Sequence, residues 1–426
     1  MTIATGIATV ADPVARPSVA ATVRRRIVFI NRFFHPDTSA TSQILFELAT
    51  RLAAQGLEVH VVCSRQLYDD AAAVLTPVAD VRGVRVHRVW TSRFGRDRLA
   101  GRAIDYGSFY VTCAMKLMQL LERGDLVVAK TDPPLISIVA ALAARVRGAR
   151  LVNWLQDIFP EVASHLGANP LPAWLNRRLQ RMRDASLHAA QANVVLGSRM
   201  REHLLALRIP SEKIRVVANW ADGDEVAPQS RESSNLRTTL GLQDKFVVAY
   251  SGNLGRAHEF DTLLMAAEWL RNNENVVFLM IGSGAKMPML RKAVEEKRLT
   301  NVRFLPYQPR ELLSDTLAAA DVHVACLLPA LEGLIVPSKF YGILAAGRPA
   351  IFIGDVDGEL ARVIDAADCG AVVACGDGGL LVTVIEEMRA DPERCREMGE
   401  RARVLFEEQY TCERAVEEWV ELIGEI

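Results

Sequence analysis

Short runs rich in valine and isoleucine alternate with longer stretches of helical period along this chain, and they do so in two successive series. The first series has strand candidates at Ile27 to Ile30, Val59 to Cys63, Val84 to Val89, Leu126 to Ala129, Arg150 to Trp154 and Asn193 to Leu196. The second runs through Phe246 to Ser251, Val276 to Ile281, Val302 to Leu305, Val322 to Cys326, Ala350 to Ile353 and Ala371 to Ala374. Apolar strands separated by helix-length crossovers form parallel sheets covered on both faces. Between the first two strands, Ile44, Leu45, Leu48 and Leu52 repeat at helical spacing over Ser42 to Gln55, and Gly56 supplies the stop. The fold class is therefore α/β, with two Rossmann-like domains.

A polar segment with Pro228, Ser230, Ser233 and Ser234 interrupts the periodicity after Asn219-Trp220-Ala221-Asp222. The expected organisation is a disordered tail over 1–22, a first domain over 23–222, a second over 223–405 and a C-terminal helix over 406–426. Arg401 to Ile426 reads as one acidic helix, with Val416, Trp419, Val420 and Ile423 on one face.

The charge changes sign at the same join. Lys and Arg less Asp and Glu come to +11 through Asp222 and to −12 beyond it. A basic half attached to an acidic half suggests that one half faces an anionic surface or ligand; drift in composition is the alternative. Two basic amphipathic segments lie in the first half. Arg93 to Leu121 mixes Phe94, Tyr106, Phe109 and Tyr110 with Arg93, Arg96, Arg98 and Arg102, and Pro172 to His188 sets Trp174, Leu175, Leu179 and Met182 beside Arg177, Arg178, Arg181 and Arg183. Such mixtures suit an anionic membrane surface, and they equally suit solvated arginines over a buried helix face. The acidic second half argues against nucleic acid.

Several classes are disfavoured. No apolar run reaches the roughly 20 residues of a bilayer crossing. The seven cysteines form no CxxC pair and sit mostly in apolar stretches, which reads as reduced thiols in the cytosol. The eight histidines show no HExxH or HxH spacing, so no metal site is expected. A GxGxxG fingerprint with its acidic partner, a Walker A loop and a GxSxG elbow are all missing.

Open α/β sheets bind ligands beyond the carboxyl ends of their strands, so the loops there hold the candidates. Tyr250 to Arg256 joins a strand to a helix through Gly252 and Asn253, where backbone N–H groups can approach a phosphate and Arg256 can add a charged contact. Ile281-Gly282-Ser283-Gly284 is a second such turn, for which a plain tight turn is the simpler reading. Glu332 opens a stretch leading through Ser338 and Lys339 into a helix; the carboxylate and ammonium suit sugar hydroxyls and phosphate oxygens, but from the residue types alone capping by Glu332 or Ser338 is the simpler reading. In the first half, Asn31 to Asp37 and Trp154 to Glu161 open toward one crevice, and Asp157 is either a functional carboxylate or a helix cap.

At these residues the chain resembles the retaining family 4 glycosyltransferases of the GT-B fold, in particular the bacterial subgroup that builds surface polysaccharides such as O-antigen and colanic acid. The resemblance spans about residues 25–415. It rests on Phe-Phe-His-Pro-Asp-Thr (33–38), Gln-Asp-Ile-Phe-Pro-Glu (156–161), Val-Val-Ala-Asn-Trp-Ala-Asp (216–222), Ser-Gly-Asn-Leu-Gly-Arg (251–256) and Pro-Ser-Lys-Phe-Tyr-Gly-Ile-Leu-Ala-Ala-Gly-Arg-Pro (337–349).

The resemblance implies parallel sheets facing an interdomain cleft, a nucleotide-sugar on the second domain, UDP-linked on family grounds, and an acceptor on the first. It further implies a lipid-linked acceptor carrying phosphate, of the polyprenyl-diphosphate kind, met by peripheral contact with the cytoplasmic face of the inner membrane. By position, Gly252, Asn253, Arg256 and Lys339 line the diphosphate, Gly282 and Gly284 border the nucleotide, and Pro306 and Tyr307 lie beside the base. Ser338 joins the donor side, Glu332 contacts the donor sugar, Asp157 sits near the anomeric centre, and His35, Asp37 and Thr38 lie on the acceptor side. The implied chemistry is front-face transfer with retention and without a metal, Arg256 and Lys339 offsetting the charge on the leaving group.

Three departures stand out. Asn253 and His258 occupy positions where many members carry an Arg and a Lys. Gly342 falls where the family has its second glutamate, leaving Glu359 as a substitute ribose anchor, and Gln156 stands where some members have His. Two rivals follow: an enzyme that epimerises UDP-N-acetylglucosamine on the same architecture, and a nucleotide-binding scaffold without turnover.

Overall fold

A computed structural model describes residues 26–68, 70, 73–95, 99–167 and 171–426. The expected tail at 1–22 lies outside these residues, as do Arg96 and Arg98.

The first sheet contains β1 (Arg26–Ile30), β2 (Glu58–Ser64), β3 (Val78–Val81), β4 (Val84–Val89), β5 (Leu126–Ala129), β6 (Arg150–Trp154), β7 (Ala192–Val195) and β8 (Ile214–Val216), in the order β3-β4-β2-β1-β5-β6-β7-β8. All neighbours are parallel except β3, which runs antiparallel to β4 at one edge. The second sheet contains β9 (Phe246–Ser251), β10 (Val276–Ile281), β11 (Val302–Leu305), β12 (Val322–Cys326), β13 (Ala350–Gly354) and β14 (Gly370–Ala374), all parallel, in the order β11-β10-β9-β12-β13-β14. Strands covered on both faces need no polar side, and β1, β5, β10 and β12 are accordingly buried almost throughout.

The C-terminal helix differs from its expected form. The chain leaves helical geometry at Tyr410, and the Thr411 hydroxyl accepts a hydrogen bond from the Arg414 N–H as the cap of a new helix, Cys412–Glu425. The expected helix start at 406 is therefore corrected to 412, residues up to Gln409 belonging to the preceding helix Pro392–Gln409. The Thr-x-x-Arg stretch with Glu413 in its first turn is a start signal that the continuous apolar periodicity concealed.

That last helix returns to the first domain. Trp419 packs against Trp154 at 4.9 Å between ring centroids and against Phe29 at 6.2 Å, while Trp220 stacks on Trp154 at 6.1 Å. The backbone thus crosses between the domains twice, and the crossings touch: Ala221 pairs with Thr411 in a parallel bridge and donates its N–H to the Tyr410 carbonyl. No helix among the described residues is long and apolar enough to cross a membrane.

Candidate active site

On the second domain, β9 and β10 end in register, Ser251 opposite Ile281, and so their following turns meet. Gly252 donates its N–H to the Ile281 carbonyl at 2.9 Å, and Leu254 donates to Ser283 at 2.9 Å. Gly252 and Gly282 both have φ of +129°; a Cβ on Gly282 would lie 2.0 Å from the Gly252 carbonyl oxygen, and one on Gly284 would lie 2.5 Å from the Asn253 side-chain oxygen. Only glycine permits this close approach. The two turns noted separately in the sequence are one interlocked structure.

Lys339, at the start of the helix Lys339–Ala345, closes the other side: its Cε lies 3.4 Å from where a Gly252 side chain would begin. Its ammonium donates to the Tyr250 hydroxyl at 2.6 Å and sits 3.3 Å from His258 Nε2. Among the described residues it forms no ion pair with a carboxylate. Burial pulls Lys339 down to about 8 and pushes His258 down to about 3, the latter reinforced by the nearby Lys339 charge. His258 is thus neutral, its Nδ1 bound to the Cys326 carbonyl. Asn253 and Arg256 are exposed at the same rim, and Arg256 makes no hydrogen bond or ion pair among the described residues. Pro306 and Tyr307, exposed beyond β11, stand beside the second turn, the Tyr307 hydroxyl donating to Ser283 at 3.3 Å.

Glu332 and Glu359 are already engaged. Glu332 Oε1 accepts from the N–H groups of Gly333 and Glu359, the latter at 2.9 Å, and so caps the helix Glu359–Ala367. Burial raises its pKa. Glu359 in turn accepts from the Ser198 hydroxyl and the Arg199 N–H, at 2.9 and 2.8 Å, at the start of the first-domain helix Ser198–Ala206. The expectation that Glu359 substitutes as a ribose anchor is corrected on that ground: its carboxylate joins the domains. Ser338 is exposed and makes no side-chain cap bond. At Gly342, one turn beyond Lys339, a Cβ would meet nothing within 4 Å.

The first domain contributes Asp157. Its backbone forms an antiparallel bridge with Ile335, and Ile158 donates to the Leu334 carbonyl at 3.0 Å, so the loop after β6 is stitched to the segment between Glu332 and Lys339. Neighbouring Gln156 exchanges amide hydrogen bonds of 3.1 Å with Asn219. Burial pushes the Asp157 carboxyl up to about 6; Asp132 pushes the same way and Lys130 opposes it.

The acceptor-side trio separates. His35 is exposed and stacks on Phe46 at 4.6 Å, and Thr38 is exposed. Asp37 is a correction: it is buried, and its carboxylate folds its own loop by accepting from the Ser39 N–H and hydroxyl and from the Tyr68 N–H. Sequence reasoning missed Lys130 and Asp132 at the end of β5. The available signal was a lysine directly after the apolar run Leu126 to Ala129, at the same sheet end as Asp157.

Comparison with known proteins agrees with this geometry. Residues 40–220 match the family described as glycosyl transferase 4-like domain, and residues 233–405 match glycosyl transferases group 1. The chain belongs to these glycosyltransferases. It is 28% identical over 297 residues to the probable glycosyltransferase WbjE of Pseudomonas aeruginosa, covering 70% of this chain and 74% of that one. It is 24% identical over 346 residues, 78% and 84% of the two chains, to the putative colanic acid biosynthesis glycosyl transferase WcaI of Escherichia coli K12. HepE from Anabaena, solved in complex with UDP and glucose, superimposes with a TM-score of 0.71 at 15% identity, over 94% of this glycosyltransferase and all of that chain. The fold is GT-B, two Rossmann-like domains.

Proposed function

We propose that this glycosyltransferase moves a sugar from a nucleotide-sugar, UDP-linked by preference, to a lipid-linked acceptor in bacterial surface polysaccharide synthesis, with retention at the anomeric carbon. One observation carries the reading: among the described residues the Lys339 ammonium has no carboxylate partner, and it lies against the interlocked glycine turns. A half-buried cation left unpaired calls for an anion, and a diphosphate would draw on Lys339, the turns and Arg256 together. HepE was solved with UDP, and WcaI carries a colanic acid assignment; both favour this choice of substrates.

In this reading the bond between the anomeric carbon and the phosphate oxygen breaks as the acceptor hydroxyl attacks from the same face. The departing phosphate takes the hydroxyl proton, and Arg256, Lys339 and the turn N–H groups stabilise its charge without a metal. Asp157 stands where positive charge grows on the sugar, and Glu332 lies on the donor side.

The acceptor comes from a membrane. Ile104, Val111, Met115 and Met118 are exposed on the helix Leu99–Leu120, spaced by seven, four and three residues and hence on one face. The helix Ile136–Arg147 packs beside it and exposes Leu142 and Val146. The helix Ala173–Ala189 adds exposed Trp174 and Met182 with Arg177, Arg178 and Arg181. An apolar surface edged by arginines suits peripheral contact with anionic lipid at the cytoplasmic face.

The test is incubation with labelled UDP-sugars and membrane-extracted polyprenyl-diphosphate glycans. Transfer into the lipid fraction with an unchanged anomeric configuration supports the reading. Epimer formation from donor alone would replace it with epimerisation, and donor binding with no turnover on any lipid acceptor would replace it with a scaffold.

A further inference from the structure

Lys130 follows β5 and is only 1% exposed. Its ammonium donates to the Thr41 carbonyl at 2.9 Å and lies 4.0 Å from the centre of the Trp154 ring. Two other buried cations at this end of the sheet have carboxylates beside them, Arg183 pairing with Glu161 at 2.6 Å and Arg32 standing 3.9 Å from Asp105, while a third, Arg88, donates to the His35 and Thr76 carbonyls. Lys130 has no ion pair among the described residues. Asp132, Asp157 and Glu47 instead surround it beyond pairing distance, each acting on it through charge. With Thr131, Asp157, Phe159 and Arg183 it lines a cavity of about 20 Å³, and the Thr131 hydroxyl there is buried without a partner among the described residues.

One hydrogen bond to a neutral carbonyl is poor compensation for burying an ammonium group, and an apolar side chain of similar length would fill the space at lower cost. The charge therefore acts on something nearby, and the carboxylate that shares its cavity is Asp157. We propose that Lys130 is a positioning residue for glycosyl transfer: across the cavity they share, its ammonium keeps Asp157 negatively charged against the opposing charge of Asp132. This rests on the transfer reading above. Burial pulls Lys130 itself down to about 7 and pushes Asp157 up to about 6, so both groups titrate near neutrality, where each senses the other. Glu47 on the helix Ala40–Ala54 and Asp132 favour the charged lysine, and Arg183 on the helix Ala173–Ala189 lines the same space.

The experiment follows the Asp157 carboxyl directly in the full chain labelled with ¹³C-aspartate, its signal assigned by loss in Asp157→Asn. In Lys130→Met the Asp157 midpoint is expected to rise by roughly one pH unit, and in Lys130→Arg to stay near the parent value. An unchanged midpoint in Lys130→Met, or equal shifts in both variants, would overturn the proposal by showing that the lysine serves packing alone. Where Lys130→Met does not fold, ¹⁵N-lysine spectra of Asp157→Asn give the reciprocal reading: the Lys130 amine is expected to titrate lower, and no shift would overturn the coupling. Transfer assays then separate the two claims. The acid limb of kcat is expected to follow the Asp157 midpoint while KM for donor stays constant; a shifted midpoint with no transfer to any acceptor would reject the transfer reading and leave the Lys130–Asp157 coupling intact.

Discussion

Asp157 of the first domain and Ile335 of the second face one another in an antiparallel bridge, reinforced by the hydrogen bond from Ile158 to Leu334. Main chain rather than side chains makes the contact, so the Asp157 loop is held against the segment that leads from Glu332 to Lys339. The loop that carries the carboxylate of one sheet thereby meets the segment of the other that leads into Lys339.

Gly282→Ala is expected to be severe, because the new methyl would lie 2.0 Å from the Gly252 oxygen at a φ of +129°. A cost of roughly 3 kcal/mol follows from the clash and the strained backbone. Gly342→Ala is the contrast: its methyl meets nothing within 4 Å inside a helix, and a gain of up to about 1 kcal/mol is expected from helix propensity. Thermal melting checks both, and nucleotide binding lost in the first variant alone locates the diphosphate at the interlocked turns.

Diphosphate affinity is expected to fall as pH rises. The ligand prefers the protonated Lys339, whose pKa burial has lowered to about 8, so binding weakens once pH passes that value in the free protein. His258, pushed down to about 3, stays neutral throughout and contributes no second step. Calorimetric titration with UDP between pH 6 and 10 measures this, and Lys339→Arg is expected to flatten the curve. Arg256→Ala removes a charge-assisted contact of about 1.5 to 3 kcal/mol, a tenfold or greater loss of affinity.

Asp157→Asn is expected to raise stability at pH 7 while lowering turnover. The folded carboxyl titrates near 6 against an ordinary 3.8, so the native state binds more protons than the unfolded chain between those values, and wild-type stability falls as pH climbs through that window. The neutral amide escapes the penalty. Its advantage in melting temperature should be full above about pH 6 and vanish below about pH 4. A destabilised Asn variant at pH 7 would instead make Asp157 a structural anchor.

Glu359→Ala removes the acceptor for Arg199 and Ser198 and so loosens one domain from the other at a cost of about 1 kcal/mol. Small-angle scattering is expected to show a larger radius of gyration, with donor affinity reduced severalfold. Arg362, which still reaches Glu202 at 2.9 Å, limits the opening.

The sheets were largely legible because each central strand is a buried run bounded by helices; β9, β10 and β12 run over the residues that the apolar pattern marks, as does the half-buried edge strand β11. The edges of the first sheet were not. Val78–Val81 and Ile214–Val216 are short strands with exposed or half-exposed positions, and such runs carry too little apolar signal to stand out. In the site, Gly252, Gly282 and Lys339 could be marked as types suited to phosphate, yet that the turns interlock depends on strand register. The duties of Asp37 and Glu359 were hidden for a similar reason, since each carboxylate is bound to backbone N–H groups; capping by Glu332 was legible, but not that it serves the distant helix Glu359–Ala367. For Glu359 those groups lie 160 residues away. Lys130 was obscured by its neighbours, because a single lysine at the end of an apolar strand reads as an ordinary solvated boundary.

Calorimetric titration of nucleoside diphosphates against the matching nucleosides, in the wild type and in Lys339→Met, tests the central claim most directly. The diphosphate is expected to bind the wild type at least tenfold more tightly than the nucleoside, and Lys339→Met to erase most of that difference. Failure of every diphosphate to bind, or undiminished binding in the variant, would contradict a donor site built from the glycine turns and Lys339.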